Sequence, residues 1–180
     1  DKGIFHRNLK PTNILIDDPY HPYITDYFST RFIPQNNYFL IRTEPPIYTA
    51  PELLDDDYEY LSNKADVYSF GVILFNILTG KQFCESKNVF KINKYILNGE
   101  RPSIPKEINE FYTNLIQRCW NQSPDERPSF EEIVEMLEKP ENLLPGANKK
   151  KFDKYKEYVN EKIPSDDDNN YYDDYLYDEE

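Results

Sequence analysis

Between Ala65 and Leu78 the chain places eight large apolar side chains in fourteen positions: Val67, Phe70, Val72, Ile73, Leu74, Phe75, Ile77 and Leu78. They do not keep to one face. A helix apolar around most of its circumference has no side to give to water, so it belongs at the centre of a core with other elements packed around it. Gly80 follows as a stop signal. A chain of 180 residues with 38% hydrophobic content can supply one such core plus a tail, and two folded domains would be cramped.

The surrounding sequence provides partners for that helix. Val89 to Leu97 before Asn98-Gly99, Glu110 to Trp120, and Phe130 to Leu137 before Pro140 read as three further helices with identifiable ends. Upstream, Ile14 to Ile16 and Tyr23 to Thr25 are short β-prone runs separated by Asp17-Asp18-Pro19-Tyr20-His21-Pro22, which is dense turn chemistry. Tyr27 to Pro51 contains Pro34, Pro45, Pro46 and Pro51 without periodicity and reads as a long loop, a length usually kept for function. The fold class expected is mainly α, with a short β-hairpin ahead of the helices. Asn148 can cap a last helix whose Phe152, Tyr155, Val159 and Ile163 form an apolar stripe beside Lys149, Lys150 and Lys151; a stripe of this kind ordinarily packs on its own domain.

The net charge of -12 is unevenly spread: residues 166–180 hold eight acidic side chains and no basic one. This tail is expected to be disordered. The rest is mildly acidic, which argues against nucleic acid as a partner, since phosphates require clustered Lys and Arg. Cys84 and Cys119 lie far apart without a Cys-x-x-Cys spacing or a neighbouring His, so two free thiols are expected rather than a disulfide or zinc site. No apolar run reaches the length of a membrane span, and a soluble cytoplasmic protein is the expectation. Met136 is the only methionine and Asp1 is the first residue, which suggests that further chain precedes it.

The opening reads His6-Arg7-Asn8-Leu9-Lys10-Pro11-Thr12-Asn13-Ile14-Leu15-Ile16 and resembles the protein-kinase catalytic loop H-R-D-L-x-x-x-N with its following strand. Asp26, thirteen residues after Asn13, falls where the family has the Asp of D-F-G. Ala50-Pro51-Glu52 matches A-P-E, Asp66-Val67-Tyr68-Ser69-Phe70-Gly71 resembles the start of the family's central helix, and Cys119-Trp120 with Arg127-Pro128 completes the set. Five motifs in order make the resemblance specific, and it looks most like the tyrosine-kinase-like serine/threonine kinases. It implies a C-terminal kinase lobe over residues 1–140 without its N-terminal lobe; residue patterning, apart from the resemblance, adds a linker and amphipathic helix over 141–163 and the disordered acidic tail over 164–180. The resemblance also implies ATP and magnesium as cofactors: Lys10, Asn13, Leu15 and Asp26 at the nucleotide, with Asn13 and Asp26 on the metal. Glu52 and Arg127 would form a buried ion pair, Asp66 would accept backbone hydrogen bonds from the catalytic loop, and His6 and Tyr27 would stack in the lobe's apolar column. A protein substrate or partner is implied, without its identity.

Three positions depart from the pattern. Asn8 stands where the family has its catalytic aspartate, and a neutral amide has no useful basicity. Phe28 replaces the Gly of D-F-G, and Pro45 replaces the hydroxyl of the G-T-P-x-Y-x-A-P-E pattern. Neither a Gly-rich phosphate loop nor a strand Lys in a V-A-I-K context is found. The expectation is a catalytically impaired kinase or pseudokinase acting by binding. The alternatives are an active kinase once joined to an N-terminal lobe, and a non-catalytic interaction module built on the last helix and the tail. Ser29, Thr30, Tyr38, Thr43 and Tyr48 lie in the activation-segment region, where Arg7 would receive a phosphate, although hydroxyls are common in any loop.

Overall fold

A computed structural model of the chain describes residues 5–17, 21–26, 46–54, 62–84, 86, 88–144 and 146–162. Tyr27, Phe28, Ser29, Thr30, Tyr38, Thr43, Pro45, Ile163 and the acidic tail lie outside the described residues. The chain divides into two units, residues 1–135 and 136–180.

The first unit is organised around α1, Lys64–Thr79. Nine of its residues are buried, and Val67, Tyr68, Val72 and Phe75 have no exposed surface at all. The helix stops where expected: Gly80 takes φ 64°, and its N–H closes the last turn on the Asn76 carbonyl. The apolar circumference is not buried to its end, however. Ile77 is 71% exposed, because among the described residues no element lies over that side of the last turn.

Two helices pack around α1. The first, α2, spans Val89–Leu97, is capped by the Asn88 side chain accepting from the Lys91 N–H, and buries Ile92 and Ile96. The second, α3, spans Glu110–Cys119 and is capped by Asn109 through the Phe111 N–H; it buries Tyr112, Leu115, Ile116 and Cys119. Close approach of α1 and α3 depends on Gly71: a Cβ there would lie 2.7 Å from the Cys119 Cβ and 3.1 Å from the Trp120 nitrogen. Trp120 ends α3 and gathers the aromatic part of the core, with ring centroids 5.4 Å from Phe75 and 5.6 Å from Phe83. A fourth helix, α4, Phe130–Leu137, opens with a reciprocal cap between Ser129 and Glu132 and sets Phe130 edge-on to Phe70.

Ahead of the helices, β1 (Ile14–Ile16) pairs antiparallel with β2 (Pro22–Ile24), with Ile14 opposite Ile24. The second strand thus sits one residue earlier than the Tyr23 to Thr25 read from the sequence. Thr25 is still held, but beyond the ladder, where its N–H donates to the Asn13 carbonyl. The hairpin is poorly covered: Leu15, Ile16, Tyr23 and Ile24 are 45–66% exposed.

In the second unit, α5 spans Lys149–Lys162, and Asn148 caps it as expected through the Lys151 N–H. Phe152, Tyr155 and Val159 are half-buried. Lys156 pairs with Glu138 at 2.9 Å, and Lys149 with Asp153 one turn along at 2.6 Å. Among the described residues no helix is long and apolar enough to cross a membrane, and both cysteines are free.

Gly71 carries the clearest consequence for stability. A Gly71→Ala chain should lose about 1–3 kcal/mol in urea denaturation, because the groups its methyl would meet are a Cβ and a backbone nitrogen rather than a flexible side-chain end.

Candidate active site

The loop of residues 6–13 is fastened from behind by α1. The Asp66 carboxylate accepts from the His6 N–H through Oδ2 and from the Arg7 N–H through Oδ1, both at 2.7 Å. Burial pushes the Asp66 pKa up, and the two backbone N–H groups pull it back toward the ionised form. The hold is specific enough to keep Arg7 at φ 61°, a conformation rare for a residue with a side chain.

His6 ties this loop to the hairpin. Its Nδ1 accepts from the Asn8 N–H at 3.2 Å, so the ring proton sits on Nε2, which donates to the Thr25 carbonyl at 2.8 Å. The next residue, Asp26, adopts φ 63° and is exposed. Asn13 closes the loop: its Nδ2 donates to the Asn8 carbonyl at 2.9 Å, and its own carbonyl accepts from Thr25. Asn13 is buried and Asp26 follows the residue bonded to it, so the structure brings these two together. An amide nitrogen that donates cannot ligate a cation, which leaves Asn13 Oδ1 and the Asp26 carboxylate as the hard oxygen donors these two positions offer. That donor set fits magnesium, which takes one or two protein oxygens together with phosphate oxygens.

Asn8 is exposed, and both bonds that fix it use its backbone: the N–H to His6 and the carbonyl to Asn13. Lys10 is half-buried at the start of the short 3-10 turn Pro11–Asn13, and its carbonyl accepts from the Asn13 N–H. Leu15 is 58% exposed on β1.

A second anchor fixes the segment before α1. Arg127, completely buried, meets Glu52 bidentately at 2.6 and 2.8 Å. Its remaining N–H groups go to the carbonyls of Lys64, Asn121 and Gln122, so all five are used. Beneath it lies Tyr68, whose ring also carries Arg101 at 5.2 Å. Burial drives the Tyr68 hydroxyl up to about 12. Tyr48 is stapled to α1 twice, its carbonyl accepting from Ser69 Oγ at 2.7 Å and its hydroxyl bonding Asn76 Oδ1 at 3.3 Å.

The sequence assigned no role to Ser69, Asn76, Arg101 or Tyr68, although Tyr68 and Ser69 lie within the Asp66–Gly71 motif. Ser69 and Asn76 did leave a signal: they are polar residues seven apart, hence on one face, in an otherwise apolar helix. Arg101 left none, since its partners are the Tyr68 ring, the Gln122 side-chain oxygen and the backbone carbonyls of Ile96, Glu100 and Trp120.

A family model of protein tyrosine and serine/threonine kinases matches residues 1–137. The chain is 38% identical over 134 residues to a putative serine/threonine-protein kinase/receptor of Acanthamoeba polyphaga mimivirus, a match covering 74% of this chain and 8% of that protein. It is 34% identical over 149 residues to a probable LIM domain-containing serine/threonine-protein kinase of Dictyostelium discoideum, covering 82% of this chain and 23% of the relative. An RGS domain-containing serine/threonine-protein kinase of the same organism is 36% identical over 136 residues, covering 76% of the chain and 12% of its own length. The chain therefore spans under a quarter of these curated relatives.

The Glu52–Arg127 anchor makes a measurable statement. Glu52→Ala leaves a buried guanidinium without its counter-charge and should cost about 3–5 kcal/mol in denaturant unfolding. The double variant Glu52→Ala/Arg127→Met should lose less than the sum of the two single changes, because it removes the orphaned charge as well.

Proposed function

Because the chain belongs to the protein tyrosine and serine/threonine kinase family, we propose that its parent is a catalytically impaired kinase or pseudokinase that acts by binding a protein partner, in the cytoplasm. One observation carries this: an otherwise complete catalytic loop has a neutral amide at position 8. Phe28 and Pro45 support it at the level of sequence.

By the family's general chemistry, ATP and magnesium would bind at this loop. Asn13 Oδ1 and Asp26 would hold the metal, which supplies neutralisation of the phosphate charge when bound. Lys10 would bring its ammonium to the transferred phosphate, and Leu15, exposed on β1, would lie against the nucleotide. Asn8 can orient a substrate hydroxyl through its Oδ1, but it cannot take the proton. A general base contributes about 10²–10⁴ in rate, on the order of 3–5 kcal/mol of barrier. Phosphoryl transfer is governed largely by positioning and charge, so Asn8 leaves room for weak activity.

The exposed apolar hairpin fits a piece of a larger kinase. A two-stranded sheet is marginal alone, and a bare apolar patch marks a contact surface. Further chain of the parent, including an N-terminal lobe, would cover Ile16, Tyr23 and Ile24.

The competing reading, an active serine/threonine kinase that tolerates Asn8, rests on the close placement of Asn13 and Asp26. Phosphotransfer by the full-length parent separates the two. The expected result is that Asn8→Asp phosphorylates a generic protein substrate faster than wild type by about 10²–10⁴, or that neither form is active. Wild type as fast as Asn8→Asp, with the activity lost in Asp26→Ala, would establish the active kinase instead.

A further inference from the structure

The most exposed large apolar side chain among the described residues is Phe90, at 86%, in the first turn of α2. Leu97, seven residues on and so on the same side of the helix, is 37% exposed. Between them stands Lys94, with Lys91 on the neighbouring edge; both are exposed. The helix contains no acidic residue, and no described carboxylate forms an ion pair with either lysine. The opposite face already buries Ile92 and Ile96 in the core, so this outer strip is not the packing surface of α2. An apolar strip about 10 Å long with cations along it is complementary to a segment that combines large apolar or aromatic side chains with carboxylates.

The chain contains such a segment. Residues 171–180 hold four tyrosines, one leucine and five carboxylates, with no basic residue. We propose that the outer face of α2 binds residues 171–180 of a second copy of this chain, with tyrosine or leucine against Phe90 and Leu97 and carboxylates at Lys91 and Lys94. This goes beyond the kinase reading and does not depend on catalysis.

The net charge gives the proposal a sign that general stickiness lacks. Two chains of charge -12 repel each other, so association through apolar contact alone would strengthen as salt screens that repulsion. Association through local lysine–carboxylate pairs should instead weaken with salt.

Sedimentation velocity on the full 180-residue chain over a wide concentration range tests this at ionic strengths of about 0.01 M and about 0.15 M, between which the Debye length falls from roughly 30 Å to roughly 8 Å. The expected result is reversible self-association that is about tenfold weaker at the higher salt. It should be abolished by Phe90→Asp and, separately, by removal of residues 164–180, each with unchanged circular dichroism. Phe90→Leu, which keeps an apolar side chain there, should still associate. A chain that is monomeric throughout, association that strengthens with salt, or association that survives either change overturns the proposal. So does a monomeric full chain whose shortened form binds a synthetic peptide of residues 164–180, since that would assign the face to the chain's own segment.

Discussion

The catalytic loop of this chain takes its shape from a carboxylate outside it. Asp66 projects from the buried first turns of α1 and accepts two successive backbone N–H groups, those of His6 and Arg7. Everything downstream in the site follows from that grip. With Arg7 fixed in a left-handed conformation, His6 reaches the Thr25 carbonyl just past β2, Asn13 closes on the Asn8 carbonyl, and Asp26 follows the residue bonded to Asn13. The strain at Arg7 and Asp26 is sustained because α1 is immobilised in its turn, on one side by the Gly71 contact with α3 and on the other by the Glu52–Arg127 pair.

This arrangement explains how Asn8 can occupy its position without disturbing the fold. The bonds that hold residue 8 come from its backbone, and its side chain is exposed, so exchanging a carboxylate for a carboxamide removes no structural interaction. The substitution changes proton chemistry and leaves geometry alone. By the same logic His6, Asp66, Glu52 and Arg127 serve the fold of the loop rather than its proton chemistry.

Much of this was legible in the residues. The α1 pattern from Ala65 to Leu78 located the core helix, Asn88-capped α2 and the span of α4 fell where periodicity and end signals placed them, and the Asp66 and Arg127 contacts matched the family resemblance. What escaped was long-range and chemically unspecific. The contacts of Arg101 and Arg127 with the Tyr68 ring join residues with no shared period, and carbonyl acceptors such as those of Asn121 and Gln122 carry no side-chain signature. The exposure of Ile77 and of the hairpin escaped for another reason. Apolar character shows that a residue wants cover, but not which element provides it.

The central claim is that Asp66 holds the loop and residue 8 does not. Hydrogen exchange at the His6 and Arg7 amides reads this directly, because those two N–H groups are the ones Asp66 accepts. In the wild-type chain both should exchange slowly, remain slow in Asn8→Asp, and become fast in Asp66→Ala while the amides of α3 keep their protection. Fast exchange at His6 and Arg7 in the wild-type chain, or protection that changes with residue 8, would contradict the account.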